Sequence, residues 1–193
     1  IMPLIPYNPY EINTYDGEFP PHAPSFEREH FLGTDVAGRD VAARLIYGFR
    51  IAIWFSLALL ATTYVIGILL GCLMGYRGGW FDLGVQRLIE VWSNVPFLYI
   101  IMIVASIVTP DFGMLVFLMV LFGWTGLVGV VRAEFLRARN FEYVRAARAL
   151  GVGNGTIMFR HVLPNAMVAT LTFLPFIVTG TIGGLASLDF LGF

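Results

Sequence analysis

Lysine is absent from this 193-residue sequence, and all 12 basic residues are arginine. A GxxxxGK[ST] phosphate loop needs that lysine, so this sequence carries no such nucleotide site. Charged residues make up 13%, against roughly 25% in an ordinary soluble domain. With a net charge of −1 there is no basic excess of the kind that draws nucleic acid. The single cysteine, Cys72, lies inside an apolar run, which excludes an internal disulfide and a CxxC metal or redox motif. His22, His30 and His161 are far apart and have no neighbouring second ligand, so no metal site is expected. No GxSxG nucleophile motif occurs, and no catalytic centre is expected. Gly151, Gly153 and Gly155 imitate a dinucleotide loop, but Thr156 fills the last glycine position, so they read as a break between two helices.

Hydrophobic residues make up 58% of the chain, and the mean hydropathy is +0.76. They are gathered in long uncharged runs, the pattern of an all-α, polytopic membrane protein. Residues 1–30 are the exception. Pro3, Pro6, Pro9, Pro20, Pro21 and Pro24 forbid a regular helix there, and Glu11, Asp16, Glu18, Glu27 and Glu29 make it acidic. This stretch reads as an irregular aqueous segment. Thr34 or Asp35 is then expected to cap a short interfacial helix running to about Tyr47, within a lead-in segment of residues 31–50.

A membrane domain is expected over residues 51–193. Crossing the hydrocarbon core takes about 20 apolar residues, and Ile51–Tyr76 is uncharged throughout. Arg77-Gly78-Gly79-Trp80 makes a turn, and a second span runs from Leu83 to Pro110. Pro110-Asp111 is a tight connection, and a third span covers Phe112–Val131. A charged loop over residues 132–163 follows, and a fourth span runs from Pro164 to about Leu185. Gly67, Gly71 and Gly75 recur every four residues, a small-residue stripe suited to close helix packing in lipid. Pro96 and Pro175 interrupt two spans. Arg87 and Glu90 are three residues apart and form a local ion pair, Arg132 and Glu134 anchor the end of the third span, and Asp189 takes a capping or turn role.

Alternating the loops by side places Arg77, Arg87, Arg132, Arg137, Arg139, Arg145, Arg148 and Arg160 together, opposite Arg28, Arg39, Arg44 and Arg50. The arginine-rich side is the cytoplasmic one, so the loop at 132–163 faces the cytoplasm and the acidic N-terminal segment lies outside.

Within that loop, Glu142 to Gly151 reads as a short helix closed by a glycine, followed by Val152–Arg160 and the proline-started span His161-Val162-Leu163-Pro164-Asn165. Ala146, Ala147 and Ala149 form helix with almost no side-chain bulk. Gly151 suits the left-handed closing position, and Pro164 the first turn of the next helix. A smooth helix of this kind, held at the membrane face, suits docking to another protein.

This segment resembles the EAA loop of ABC-importer permeases, whose pattern is Glu-Ala-Ala, three residues, Gly, nine residues, then Ile-x-Leu-Pro. Ala146-Ala147, Gly151 and Leu163-Pro164 match at that spacing, whereas Arg145 stands where the family often has Glu and His161 where it has Ile. The stretch Gly33-Thr34-Asp35, Gly38-Arg39-Asp40 and Arg44 to Gly48 is similar to the segment before the spans in the C-type subunits of dipeptide, oligopeptide and nickel importers. Phe122-Gly123-Trp124, Val131 to Leu136 and Ser187 to Phe193 look closest to Yej-type permeases for peptides and microcin C.

The resemblance implies a type I ABC-importer transmembrane domain in the bacterial inner membrane, with one more transmembrane helix before Ile1 and one after Phe193. It implies docking of an ATPase by Glu142, Arg145, Ala146, Ala147 and Gly151, with Leu163 and Pro164 fixing the loop to the next span. It further implies a second permease subunit, cytoplasmic ATP-binding subunits that hold ATP and Mg, and a periplasmic solute-binding protein. No cofactor is expected on this chain, the ATPase activity belongs to a partner, and no residue is assigned to substrate. An ion-gradient-driven transporter or channel is the alternative, but it needs acidic residues near the bilayer midplane, and the spans contain none at their centres. A membrane-embedded hydrolase needs a nucleophile–base pair, and none is evident.

Overall fold

A computed structural model describes residues 6–15, 18–109 and 111–192. Pro3, Asp16, Pro110 and Phe193, named above, lie outside the described residues. The chain divides into two compact units, Ile1–Trp54 and Phe55–Phe193.

In the first unit, residues before Val41 form turns and isolated bridges, Tyr15 with Glu18, Ser25 with His30 and Thr34 with Asp40. A buried polar knot holds them. His30 and Asp40 are both essentially inaccessible, with Nδ1 2.8 Å from Asp40 Oδ2 and Nε2 2.9 Å from the Tyr15 hydroxyl. Tyr7 stacks on the His30 ring at 4.3 Å, and its hydroxyl donates to the Arg28 carbonyl at 2.5 Å. Burial, with Tyr15 beside it, pushes the Tyr7 phenol up to about 12.

Helix α1 begins at Val41 and runs unbroken to Arg77. This corrects the expected interfacial helix from Thr34 or Asp35 to Tyr47. Asp35 spends its carboxylate on the backbone N–H groups of Ala37 and Arg39, both at 2.9 Å, and so closes a turn. Gly38, at φ +78°, ends that turn. The capping role passes to Asp40, whose Oδ1 accepts from Ala43 N at 2.6 Å. Nothing between Tyr47 and Ile51 breaks the helix, since an isolated Gly48 is tolerated in a helix interior.

The second unit is a helix bundle built on two pairings. The stripe on α1 packs against α4 (Phe112–Ala138). A Cβ on Gly67 would lie 2.9 Å from Leu127 Cβ, on Gly71 2.7 Å from Val131 Cβ, and on Gly75 2.5 Å from Phe135 Cβ. These partners advance in step, so α1 and α4 run parallel. Between them in sequence come α2 (Gly79–Ser93) and α3 (Phe97–Ile107). They return antiparallel to α4, with Asp82 at Arg132, Trp92 stacked on Phe122, and Ile101 packed with Leu115 and Leu118.

After α4 come α5 (Glu142–Ala149), a single turn α6 (Asn154–Thr156), a π-helical stretch Ile157–Val162, α7 (Leu163–Leu171) and α8 (Leu174–Phe190). Ala166 joins the core of Val131 and Phe135, whereas Leu188 joins that of Phe55 and Leu115. The pair α7–α8 therefore also runs back, antiparallel to α1.

Helices α1 and α4 are each long and apolar enough to cross a bilayer, and the bent pairs α2–α3 (62°) and Asn154–Leu171 with α8 (51°) bring the crossings to four if each is one span. The first bend lies at Pro96, as the sequence suggested. The second lies at Thr172–Phe173, just before Pro175, which sits in the first turn of α8. Helices α4 and α8, which hold the third and fourth expected spans, continue past the expected ends at Val131 and Leu185, to Ala138 and Phe190. The cause at Val131 is visible. Arg132 does not leave the helix but turns to Asp82, making a two-pronged ion pair at 2.5 and 2.6 Å.

Candidate functional site

The parallel course of α1 and α4 brings Arg77 and Arg139 to one end of the bundle, and the loop carrying α5 hangs from that end. Val144, buried without remaining exposure, anchors α5 in the core of Phe135, Ala138, Ile157 and Val162. Ala147, Val152 and Leu163 pack against the same core. At about 100° per residue, Glu142, Ala146 and Ala149 lie on the face away from Val144, and all three are exposed. The helix thus has a welded inner face and a smooth outer face of small side chains flanked by Glu142 and Arg145.

Its C-terminus is a Schellman closure. Val152 N donates to Ala147 O at 3.0 Å and Gly151 N to Arg148 O at 3.1 Å, with Gly151 at φ +78°. A side chain there meets no neighbour but must take a left-handed backbone, so the glycine serves conformation and not space. Arg145, in the position where glutamate is common, folds back and donates twice to the Asn140 carbonyl, at 3.1 and 2.9 Å. It thereby ties α5 to the turn that follows α4. Pro164 occupies the first turn of α7. The Asn165 amide donates to the His161 carbonyl at 2.8 Å and approaches the Tyr143 hydroxyl at 3.5 Å. The second contact, with Ala147 and Leu163 packed on one core, joins α5 to α7.

The lead-in residues are brought together as a second structural group. Gly33 (φ +75°) leaves room for the His22 carbonyl, which a Cβ would meet at 2.5 Å. Gly38 does the same for the Asn13 carbonyl at 2.8 Å. Thr34 Oγ1 accepts from His22 N at 2.8 Å. Asp35 holds Arg39 Nε at 3.0 Å and also pairs with Arg44. Burial pushes the Asp35 carboxyl up, but the amides of Arg39 and Ala37 and the Arg39 guanidinium outweigh it and hold it below the usual range. Asp40 serves His30 and the cap of α1 at once.

The ion pair between Arg87 and Glu90 forms at 2.5 Å on the surface. Glu134 pairs with Arg137 at 2.6 Å. Exposed Asp189 offers its carbonyl to the turn at Gly192. Sequence reasoning missed three features: the Val144 anchor, the Asp82–Arg132 pair and the His30–Asp40 pair. The one available signal was Asp82, an acid near the start of an apolar segment, which had to find a cation. Among the described residues no cluster of His, Cys, Asp or Glu is suited to a metal ion.

Residues 67–193 match the family described as binding-protein-dependent transport system inner membrane component. The peptidoglycan transport system permease protein YejE of Agrobacterium fabrum is 64% identical over 164 residues, 85% of this chain and 43% of that protein. The inner membrane ABC transporter permease protein YejE of Escherichia coli is 58% identical over 173 residues, 90% of this chain and 50% of that protein. The dipeptide transport system permease protein DppC of Bacillus subtilis is 31% identical over 189 residues, 98% of this chain and 58% of that protein. The chain thus spans about half the length of these relatives. With two helices long enough to cross a bilayer, two bent apolar pairs, an anchored loop helix and a family match over most of its length, this chain belongs to the binding-protein-dependent transport system inner membrane components.

Proposed function

We propose that this chain is the membrane-crossing part of an ABC-importer permease that moves peptides or related small solutes across a bacterial inner membrane. In this reading a separate ATPase grips α5 through the outer face of Glu142, Arg145, Ala146 and Ala149; Ala147, expected among the docking residues, packs on the core side instead, and Gly151 closes the helix. ATP and Mg are held on that partner, a second permease subunit completes the path, and a periplasmic binding protein delivers the solute. Relatives named for peptidoglycan and dipeptide transport support a peptide-like cargo. The arginine bias supports a cytoplasmic position for the loop.

The observation that carries the proposal is the two-faced coupling helix. Its inner face is fixed by Val144 to the core shared with α4 and α7, and its outer face is small and exposed. A docking helix must be both rigidly attached and smooth, because force is transmitted only through a contact that does not yield. The test is uptake and cross-linking in the complete transporter. Gly151→Val forces a β-branched residue into the left-handed region, at about 1–2 kcal/mol, and should abolish uptake while the permease still reaches the membrane. Ala146→Cys should cross-link to the ATPase. Retained uptake in Gly151→Val, together with labelling of Ala146→Cys by a membrane-impermeant reagent from outside, overturns the proposal.

A further inference from the structure

A cleft of about 580 Å³ opens beside α5, lined by Tyr76, Arg77, Arg139, Asn140, Arg148 and Asn154. Three of these six are guanidinium groups, and no carboxylate lines the cleft. Among the described residues, Arg77, Arg139 and Arg148 have no acidic partner within 4.0 Å, as is also true of Arg145 and Arg160 outside the cleft, whereas Arg87, Arg132 and Arg137 do. Three unneutralised cations facing one cavity repel each other unless an anion joins them.

The local structure gathers them. Gly78, at φ +65°, lets Arg139 lie across the end of α1, since a Cβ there would stand 2.5 Å from Arg139 Nη1. Arg139 Nη1 also donates to the Gly75 carbonyl at 3.3 Å. The Arg148 guanidinium sits 5.8 Å from the centre of the Tyr76 ring. The Tyr76 hydroxyl lies 2.8 Å from Asn154 Oδ1, which leaves the Asn154 amide hydrogens as donors for the cleft.

Depth argues for what fills it. At about 1.5 Å per residue the uncharged run Ile51–Tyr76 covers about 39 Å, more than the roughly 30 Å of hydrocarbon. Arg77 therefore stands at the level of the lipid headgroups. Direction argues against the ATPase. Arg148 lies only about 40° around α5 from the buried Val144, on the side turned to the membrane helices, not on the outer face of Glu142, Ala146 and Ala149.

We propose that this cleft binds the phosphodiester of an anionic phospholipid from the cytoplasmic leaflet, bridging the ends of α1 and α4 to the coupling helix. Basic pockets between membrane helices on that side take such headgroups. The proposal rests on the cytoplasmic placement of the loop.

The test uses the complete transporter in lipid nanodiscs of phosphatidylcholine with added phosphatidylglycerol or cardiolipin, with retained lipid counted by native mass spectrometry. The wild type should retain anionic lipid over phosphatidylcholine. Each of Arg77→Gln, Arg139→Gln and Arg148→Gln should weaken retention about fivefold, and the triple variant on the order of a hundredfold. The corresponding Arg→Lys variants should keep most of it. If the triple variant fails to assemble, the three single variants decide. Unchanged retention in the variants overturns the site. Competition by inorganic phosphate at concentrations equal to the lipid overturns the lipid source, and a cross-linker at position 148 that captures only the ATPase assigns the cleft to that protein instead. Retention is read without transport. A wild type that retains no more anionic lipid than phosphatidylcholine while uptake is intact therefore sinks this site alone, whereas outside labelling of the loop sinks the importer reading.

Discussion

Replacing Gly75 by alanine probes the contact between α1 and α4 most sharply. The added Cβ would meet Phe135 Cβ at 2.5 Å and the Arg132 carbonyl oxygen at 2.7 Å. Ordinary contact distances are about 3.5–4.0 Å, so the helices must part by about 1 Å. Neither neighbour is the free end of a side chain, and no rotamer change relieves the clash. Overpacking of this kind costs about 1–3 kcal/mol, and a gap of that size also forfeits a quarter to a half of the dispersion along the seam. Alanine regains about 1 kcal/mol of helix propensity, which leaves a net loss of about 2 kcal/mol. For a chain of this length that corresponds to a Tm lower by about 4–8 °C. Gly84 is the control, because it lies inside exposed α2 with nothing within 4 Å of an added Cβ. Gly84→Ala should leave the Tm unchanged or raise it. Gly67→Ala should be milder than Gly75→Ala, since its nearest approach is 2.9 Å against 2.5 Å and no backbone atom is among its three nearest neighbours. Thermal unfolding of the detergent-solubilised protein, followed by tryptophan fluorescence, reads all three. Equal shifts at Gly75 and Gly84 would refute the close-packing argument.

Asp82→Asn or Arg132→Gln leaves its partner buried in the bundle, and breaking such a pair costs about 3–5 kcal/mol. The low end is expected, because the Arg132 side chain keeps 22% exposure; a double variant with both replaced by leucine should lose less than the two single losses combined, and additive losses in a double-mutant cycle would show that no pairing exists. For Asp35 the folded carboxyl lies below its ordinary value, so its contribution is present above the unfolded value of about 3.9 and lost as pH falls through the lower folded one. The turn at residues 35–39 should therefore persist at pH about 5 and open only below about 4, read from the amide chemical shifts of Ala37 and Arg39, and an opening centred above pH about 5 contradicts the pairing.

The glycine stripe, the proline bend at Pro96 and the alanine helix closed by Gly151 were legible because each acts locally. A missing side chain, a missing N–H and a left-handed turn have the same meaning wherever the chain goes. The start of α1 was not legible in the same way. Thr34, Asp35 and Asp40 are all acceptable caps, and the choice fell to Asp40 because Asp35 was claimed by the amides of Ala37 and Arg39 while Asp40 was held in place by His30.

Which crossings exist, and on which side the arginines collect, follows from the order of residues alone, since apolar length and charge bias are summed along the chain. Which arginine finds an acid is a different matter. Arg132 meets Asp82 only because α2 folds back along α4, whereas Arg77, Arg139 and Arg148 converge on a cleft with no acid in it. Pairing of charges far apart in sequence depends on helix packing, and only the folded bundle sets those distances.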